Sequence, residues 1–189
     1  MAHQACAHPE RTRSVARAAW PRPSRPGFGV PDEQARDLAV VRRIPCRWID
    51  LYDLVLDLER YPDFVPRCRA VKVYSRNGAS DGRTVIVSRM TVGVAGFDVS
   101  YANRTTGDAA ARRITVTALD GPLRRLNVLW TFEPDGEEWT RVGFSVDYAF
   151  ESAVLEALAA RAFEAMFGEI LTAFERRAKR LYGPAGARA

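Results

Sequence analysis

The sequence predicts an α+β domain in which a curved antiparallel sheet of about six to seven strands wraps one long C-terminal helix. Three observations predict it. Between Val71 and Phe150 apolar residues recur with a period of two in six short runs. The turn residues between those runs leave no room for crossover helices, so neighbouring strands must run antiparallel. From Ser152 to Tyr182 the apolar spacing changes to three and four residues, the period of a helix.

The elements follow in order from about Asp37. Leu38 to Ile44 reads as a first strand that Pro45 closes, and as a partner for the sheet edge. Arg47 to Glu59 reads as a helix. Its apolar face holds Trp48, Leu51, Tyr52, Val55, Leu56 and Leu58, and Asp50, Asp53 and Asp57 fall on the other side. Tyr61-Pro62-Asp63-Phe64-Val65-Pro66 then carries two prolines that force a bend or one short turn. Its two readings are a lid at a cavity mouth and a rigid helix-ending turn.

The strand runs are Val71 to Tyr74, Thr84 to Val94, Phe97 to Tyr101, Arg113 to Leu119, Leu126 to Phe132 and Val142 to Phe150. The last is the cleanest: Val142, Phe144, Val146, Tyr148 and Phe150 alternate with Gly143, Ser145, Asp147 and Ala149. Turn signals stand at Asn77-Gly78, Asp81-Gly82, Ala95-Gly96, Gly107-Asp108, Gly121-Pro122 and Asp135-Gly136.

The closing helix places Leu155, Leu158, Ala162, Phe163, Met166, Phe167, Ile170, Leu171, Phe174 and Leu181 on one face. At a rise of ~1.5 Å per residue it is roughly 45 Å long, enough to cross a whole sheet. Packed on the concave face it gives a two-layer helix-grip arrangement. Gly168 inside it suggests close packing against the sheet, with a bend as the second reading.

Residues 1–34 read as an Arg- and Pro-rich leader, residues 35–183 as the domain, and 184–189 as a flexible tail. In the leader Pro21, Pro23, Pro26 and Pro31 break any helix. A plain disordered extension, a targeting peptide and a basic arm all remain open for it.

The chain has 189 residues and a formal net charge of +5. Arg11, Arg13, Arg17, Arg22 and Arg25 against Glu10 place most of that charge in the leader. The near-neutral body argues against a DNA-binding module. Cys6, Cys46 and Cys68 show no metal-ligand spacing and read as free thiols. Both histidines, His3 and His8, lie in the leader. The body therefore has no residue for Ser-His-Asp or Cys-His catalysis and no usual zinc set. No apolar run is long enough to span a bilayer.

Four pieces carry a family resemblance: Leu51-Tyr52-Asp53-Leu54-Val55 running into Tyr61-Pro62-Asp63-Phe64-Val65-Pro66; Gly121-Pro122-Leu123-Arg124; Trp130-Thr131-Phe132-Glu133-Pro134; and Ala173-Phe174-Glu175-Arg176-Arg177-Ala178. Over about Arg36 to Gly183 the chain resembles the START-like, polyketide-cyclase-type helix-grip superfamily. Within it, the chain resembles the coenzyme Q-binding START-domain proteins and the RatA-type ribosome-association proteins. The resemblance implies a START-like helix-grip fold and a hydrophobic pocket for a prenylquinone, with ubiquinone as bound ligand and no other cofactor. It implies no catalytic residue and a role supporting respiratory electron transfer. The alternatives are a ribosome-associating regulator or toxin, with a ribosomal subunit as partner, and a cyclase or hydrolase acting in the same cavity. With the missing signals it implies a cytoplasmic protein that touches the inner membrane peripherally. The departures are Arg67, where many relatives carry an aromatic, and the leader itself.

Candidate pocket residues are Tyr61, Phe64, Val65, Met90, Tyr101, Asn103, Trp130, Phe144, Tyr148, Phe163, Met166, Phe167 and Ile170. Plain core packing accounts for any one of them, so the argument is collective. A sheet and a helix both rich in aromatics can enclose a pocket of a few hundred Å3. Methionine suits an adaptable wall. The hydroxyls of Tyr101 and Tyr148 are candidate donors to a quinone carbonyl, with backbone or water as equal alternatives. Asn103 shares the face of Tyr101, and Arg104 faces solvent. Arg176, Arg177, Lys179 and Arg180 complement the helix dipole, or contact anionic lipid headgroups.

Overall fold

The computed structural model describes residues 36–78, 81–94 and 96–183. The leader at 1–34 and the tail at 184–189 lie outside the described residues. The order is β1 (Arg36–Ile44), α1 (Trp48–Leu56), a 3-10 turn (Leu58–Arg60), α2 (Tyr61–Phe64), then β2 (Cys68–Gly78), β3 (Arg83–Val94), β4 (Phe97–Asp108), β5 (Arg113–Ala118), β6 (Leu123–Pro134), β7 (Thr140–Phe150) and α3 (Ala153–Tyr182).

The strands form one antiparallel sheet in the order β1-β7-β6-β5-β4-β3-β2. The meander and the edge position of β1 are as the sequence predicts. Register shifts in β2 at Cys68/Ala70 and Val73/Ser75, and in β6 at Leu123/Arg125, bend the sheet. The pleat decides which residues face inward. In β7, Val142, Phe144, Val146 and Tyr148 are buried and pair with Phe132, Trp130, Val128 and Leu126 of β6.

Three expectations differ from the structure. The helix predicted over Arg47–Glu59 stops at Leu56, and a 3-10 turn and α2 follow it. Asp57 leaves the helical region at φ −81° and ψ 64°, while its N–H still bonds the Asp53 carbonyl at 3.0 Å. Asn77-Gly78 and Gly107-Asp108 are not turns but the ends of β2 and β4. At Gly107 the reason is packing: a Cβ there would lie 2.5 Å from the Tyr52 hydroxyl and 3.1 Å from Leu56 Cδ1. The glycine lets α1 seat against β4. Gly168, in contrast, does not serve close packing. It is exposed, and a Cβ at that position would meet nothing within 4 Å.

α3 begins one residue after the predicted start and crosses the concave face. Phe163, Met166, Phe167, Leu171, Phe174 and Ala178 are buried along one stripe, whereas Leu181, expected on the same face, is exposed in the last turn of the helix. Burial of each large apolar side chain stabilises the fold by about 1.5–3 kcal/mol. The C-terminal half meets α1 and α2, where Phe174 packs edge-on against Tyr61 and Phe64, with centroids 5.2 and 5.0 Å away.

Candidate functional site

The interior between sheet and helix is built on a continuous band of aromatic rings. From the α2 end it runs from Phe64 and Tyr61 to Phe174, on to Trp130 at 5.0 Å, and to Phe144 at 4.4 Å. Phe144 reaches Phe167 at 6.0 Å, and Phe167 reaches Phe163 at 4.8 Å. Tyr148 packs on Phe163 at 4.8 Å, and Phe150 closes the band. The edge-on pairs, such as Phe163 with Phe167 at 86°, have a geometry that aromatic quadrupoles favour, and the pairs along Phe174, Trp130, Phe144 and Phe167 are tilted. The band follows from two periods meeting: alternate residues of β6 and β7 face residues spaced three and four along α3.

All thirteen candidate residues face this interior or its margin. Tyr61, Val65, Asn103, Trp130, Phe144, Tyr148, Phe163, Met166 and Phe167 are buried. Phe64, Met90, Tyr101 and Ile170 are half-buried and pack against the same core. Arg104 is exposed, as predicted. Among the described residues there is also a void of about 10 Å3 beneath α1, large enough for about one water. Its lining is wholly apolar: Ile44, Leu51, Leu54, Val55, Trp130, Phe132, Val142, Leu171 and Phe174. Of the thirteen candidates only Trp130 borders it.

The polar groups of the interior are few. The Tyr61 hydroxyl donates to the Val55 carbonyl at 2.5 Å. That bond pins the residue and gives the Tyr-Pro segment the character of a fixed helix-ending turn. The turn is held further by Val65 N–H to the Tyr61 carbonyl at 2.8 Å. Arg67 adopts φ 63°, pairs with Glu169 of α3 at 3.5 Å and accepts the Gly93 N–H at 2.9 Å. The Tyr148 hydroxyl donates to Glu164 Oε1 on α3 at 3.2 Å. The Tyr101 hydroxyl donates to the Met90 sulfur at 3.3 Å, a weak acceptor.

Gly121-Pro122 sets the position of Tyr101. Gly121 takes φ 114°, and a Cβ there would lie 2.6 Å from Tyr101 Cβ. The preceding Asp120 accepts the Ala102 N–H and the Arg89 guanidinium, both at 2.5 Å. These two contacts, the backbone N–H first, hold its carboxyl below the usual range.

Burial pushes the phenols of Tyr61 and Tyr101 well above their ordinary value, with Cys68 adding to both. Burial also pushes the Cys68 thiol up to about 11. All three groups are therefore neutral donors at physiological pH. They can hydrogen-bond a ligand but cannot act as anionic nucleophiles there.

Three functional candidates escape the sequence reading. Phe174 sits at the junction of the ring band and the void, although its helical spacing from Phe167 and Ile170 marks it. Ser88 and Thr105 are buried polar residues that flank Asn103. Their signal is a hydroxyl at an inward position of an otherwise apolar alternation.

At the C-terminus of α3, Lys179 pairs with Glu175 at 2.7 Å and Arg177 lies 5.5 Å over the Phe64 ring. Two of the four cations in that cluster thus have intramolecular partners. Among the described residues no helix is long and apolar enough to cross a membrane.

Comparison with known proteins agrees with this architecture. Residues 48–175 match the family described as polyketide cyclase / dehydrase and lipid transport. Among curated proteins, the ribosome association toxin RatA of Rickettsia prowazekii is 29% identical over 139 residues, covering 72% of this chain and 91% of that protein. The mitochondrial coenzyme Q-binding protein COQ10 homolog B of Xenopus laevis is 28% identical over 137 residues, covering 70% of this chain and 54% of that one. Among solved structures, the 18 kDa protein CC1736 of Caulobacter crescentus superposes with a TM-score of 0.64 at 32% identity, covering 79% of this chain and 99% of that one. The Zhui aromatase/cyclase of Streptomyces sp. R1128 shares the fold, with a TM-score of 0.65 at 20% identity over 77% of this chain and 94% of its own.

Proposed function

Since the chain belongs to the polyketide cyclase, dehydrase and lipid transport family, we propose that it is a non-catalytic carrier of a prenylated quinone such as ubiquinone, or of a similar lipid, in support of respiratory electron transfer. The observation that carries this reading is the ring band between β6, β7 and α3, together with neutral donors on the inner face of β3 and β4. Aromatic and thioether walls suit an isoprenoid tail, and a few convergent donors suit a carbonyl-bearing head. The thirteen candidate residues are the proposed lining. Their dense packing means that a ligand enters by repacking of these side chains or by movement of α3.

A coenzyme Q-binding protein among the relatives supports the ligand class. Against histidine-based catalysis stands the absence of histidine from residues 36–183. That weighs against a cyclase, although an aromatase/cyclase shares the fold.

A second reading is supported by relatives named for ribosome association, one of which aligns over 91% of its length. It predicts co-sedimentation with ribosomal subunits that is lost at high salt. Surface charge weighs against it. Arg43, Arg83, Arg89, Arg125 and Arg141 are each engaged by a carboxylate of the chain, which leaves fewer cations for a polyanion.

The test is equilibrium binding of ubiquinone to the wild type and to Phe167→Ala, whose ring touches Phe144, Tyr148 and Phe163. The expected result is a loss of about tenfold or more in affinity. Equal affinity in a folded variant contradicts the proposed site.

A further inference from the structure

Among the described residues, one buried side-chain nitrogen lacks a hydrogen-bond partner: Arg177 Nε, near the end of α3. Arg177 is half-buried, and its guanidinium carbon stands 5.5 Å over the Phe64 ring. The ring attracts the cation but gives Nε no acceptor. A buried donor without an acceptor is costly, and native structures rarely keep one without a use. Arg176 and Arg180 are exposed on the same flank, one residue before and three after Arg177. Among the described residues none of the three has a carboxylate within ion-pair distance, because the neighbouring acids are already engaged. Glu175 holds Lys179 at 2.7 Å, and Glu169 holds Arg67 at 3.5 Å.

Other arginines are treated differently. Arg43, Arg47, Arg76, Arg83 and Arg89 each pair with a carboxylate at 3.3 Å or less. Arg42 and Arg104 are exposed without one, but they stand on different strands, β1 and β4. Three like charges at adjacent helical positions repel one another, and the helix C-terminus offsets only part of that. An external anion would complete the arrangement. Leu181, four residues after Arg177, is 41% exposed beside these cations. Guanidinium groups next to an exposed leucine suit a lipid–water interface, where the apolar side chain enters and the cations stay with the phosphates. An RNA backbone calls for a longer row of cations and leaves Leu181 in water. The α1 carboxylates stand to the other side. Burial, then Asp50, Asp53 and Asp57, push up the Tyr182 phenol, and helical spacing sets Tyr182 about 140° round α3 from Arg177.

We propose that this flank of α3 docks on an anionic lipid surface, with Arg176, Arg177 and Arg180 taking headgroup phosphates and Leu181 entering the acyl boundary. To meet a phosphate, Arg177 turns off the Phe64 ring, and Nε and a terminal nitrogen then donate to two oxygens side by side. The docking stands apart from the carrier reading and adds a place to it. Phe64 packs on Phe174 at 5.0 Å, so the docked flank holds the α2 end of the ring band beside the bilayer.

The experiment is co-sedimentation of the full chain with vesicles of phosphatidylcholine alone, and of phosphatidylcholine and phosphatidylglycerol in equal parts. At about fivefold per cation, the wild type should bind the anionic vesicles about a hundredfold tighter, and Arg176→Gln/Arg180→Gln should lose about thirtyfold of that. Arg177→Lys, which keeps the charge without Nε, should fall between the two. Leu181→Ser should also weaken binding to the anionic vesicles. The control Arg42→Gln/Arg104→Gln removes the same charge from β1 and β4 and should bind like the wild type. Equal binding of the wild type to both vesicles overturns the proposal. So does an Arg176→Gln/Arg180→Gln variant that loses no more than the control, which would assign the lipid contact to other cations. Release from the vesicles by single-stranded RNA that itself binds through Arg176 and Arg180 overturns it in favour of a polyphosphate partner. Ubiquinone affinity in detergent tests the carrier reading separately.

Discussion

Replacing Trp130 with alanine tests the ring band where it is most connected. Trp130 is 4% exposed, lies 4.4 Å from Phe144 and 5.0 Å from Phe174, and borders the apolar void of about 10 Å3. Deletion of a buried aromatic of this size costs about 3–5 kcal/mol in lost transfer energy and new cavity. Two ring contacts of about 0.5–1.5 kcal/mol each place it in the upper part of that range. In a domain of this size the melting temperature should fall by roughly 10 °C or more. Urea titration followed by far-ultraviolet circular dichroism measures the loss without relying on the deleted indole. The enlarged space joins an apolar void, so benzene should bind there and recover part of the stability. A loss below about 1 kcal/mol, with no response to benzene, refutes the claim that Trp130 joins helix, sheet and void.

Two glycines should respond in opposite directions. Gly107→Ala drives a Cβ toward the Tyr52 hydroxyl and should cost about 1–3 kcal/mol, whereas Gly168→Ala, on an exposed helical face with open space, should gain about 1 kcal/mol; denaturant midpoints of the two variants decide it. The raised Cys68 thiol makes a pH prediction. Its folded value of about 11 exceeds the ordinary 9.0, so its stabilising effect is complete below pH 9 and is lost as pH rises toward 11. Iodoacetamide should accordingly label native Cys46 and Cys68 slowly at pH 8 and faster through that window, and rapid labelling of folded protein at pH 8 counts against the burial described.

The sequence declared its architecture where one signal dominated. In β7 five inward apolar residues alternate without interruption, and in α3 the stripe from Phe163 to Phe174 has no competing period. Both elements lie within one residue or two of expectation. Legibility failed where tertiary contact overrode local chemistry. Gly107 has the look of a turn residue, but its role is to admit a tyrosine from α1, which lies fifty-five positions earlier. The break at Asp57 carries no proline or glycine to announce it. Gly168 shows the converse, a glycine in a helix whose neighbours make no demand on it.

For the site, helical and strand periods together located the ring band, because rings at those spacings must face one another. They could not show that Tyr61 is tied to Val55, or that Asn103 shares its oxygen between Ser88 and Thr105. The first is set by the backbone break at Asp57, which turns α2 back toward α1, and the Ser88 bond depends on the β3–β4 register, which a one-residue slip would abolish. The ligand class has a different origin again. It comes from family resemblance, since rings and thioethers specify an apolar guest without naming it.

The measurement that bears most directly on the carrier account is organic extraction and native mass spectrometry of the intact protein purified from a quinone-producing host. The account predicts a co-purifying prenylquinone at near-stoichiometric amount. A protein that emerges empty, fails to take up added ubiquinone and sediments with ribosomal subunits at low salt would contradict it.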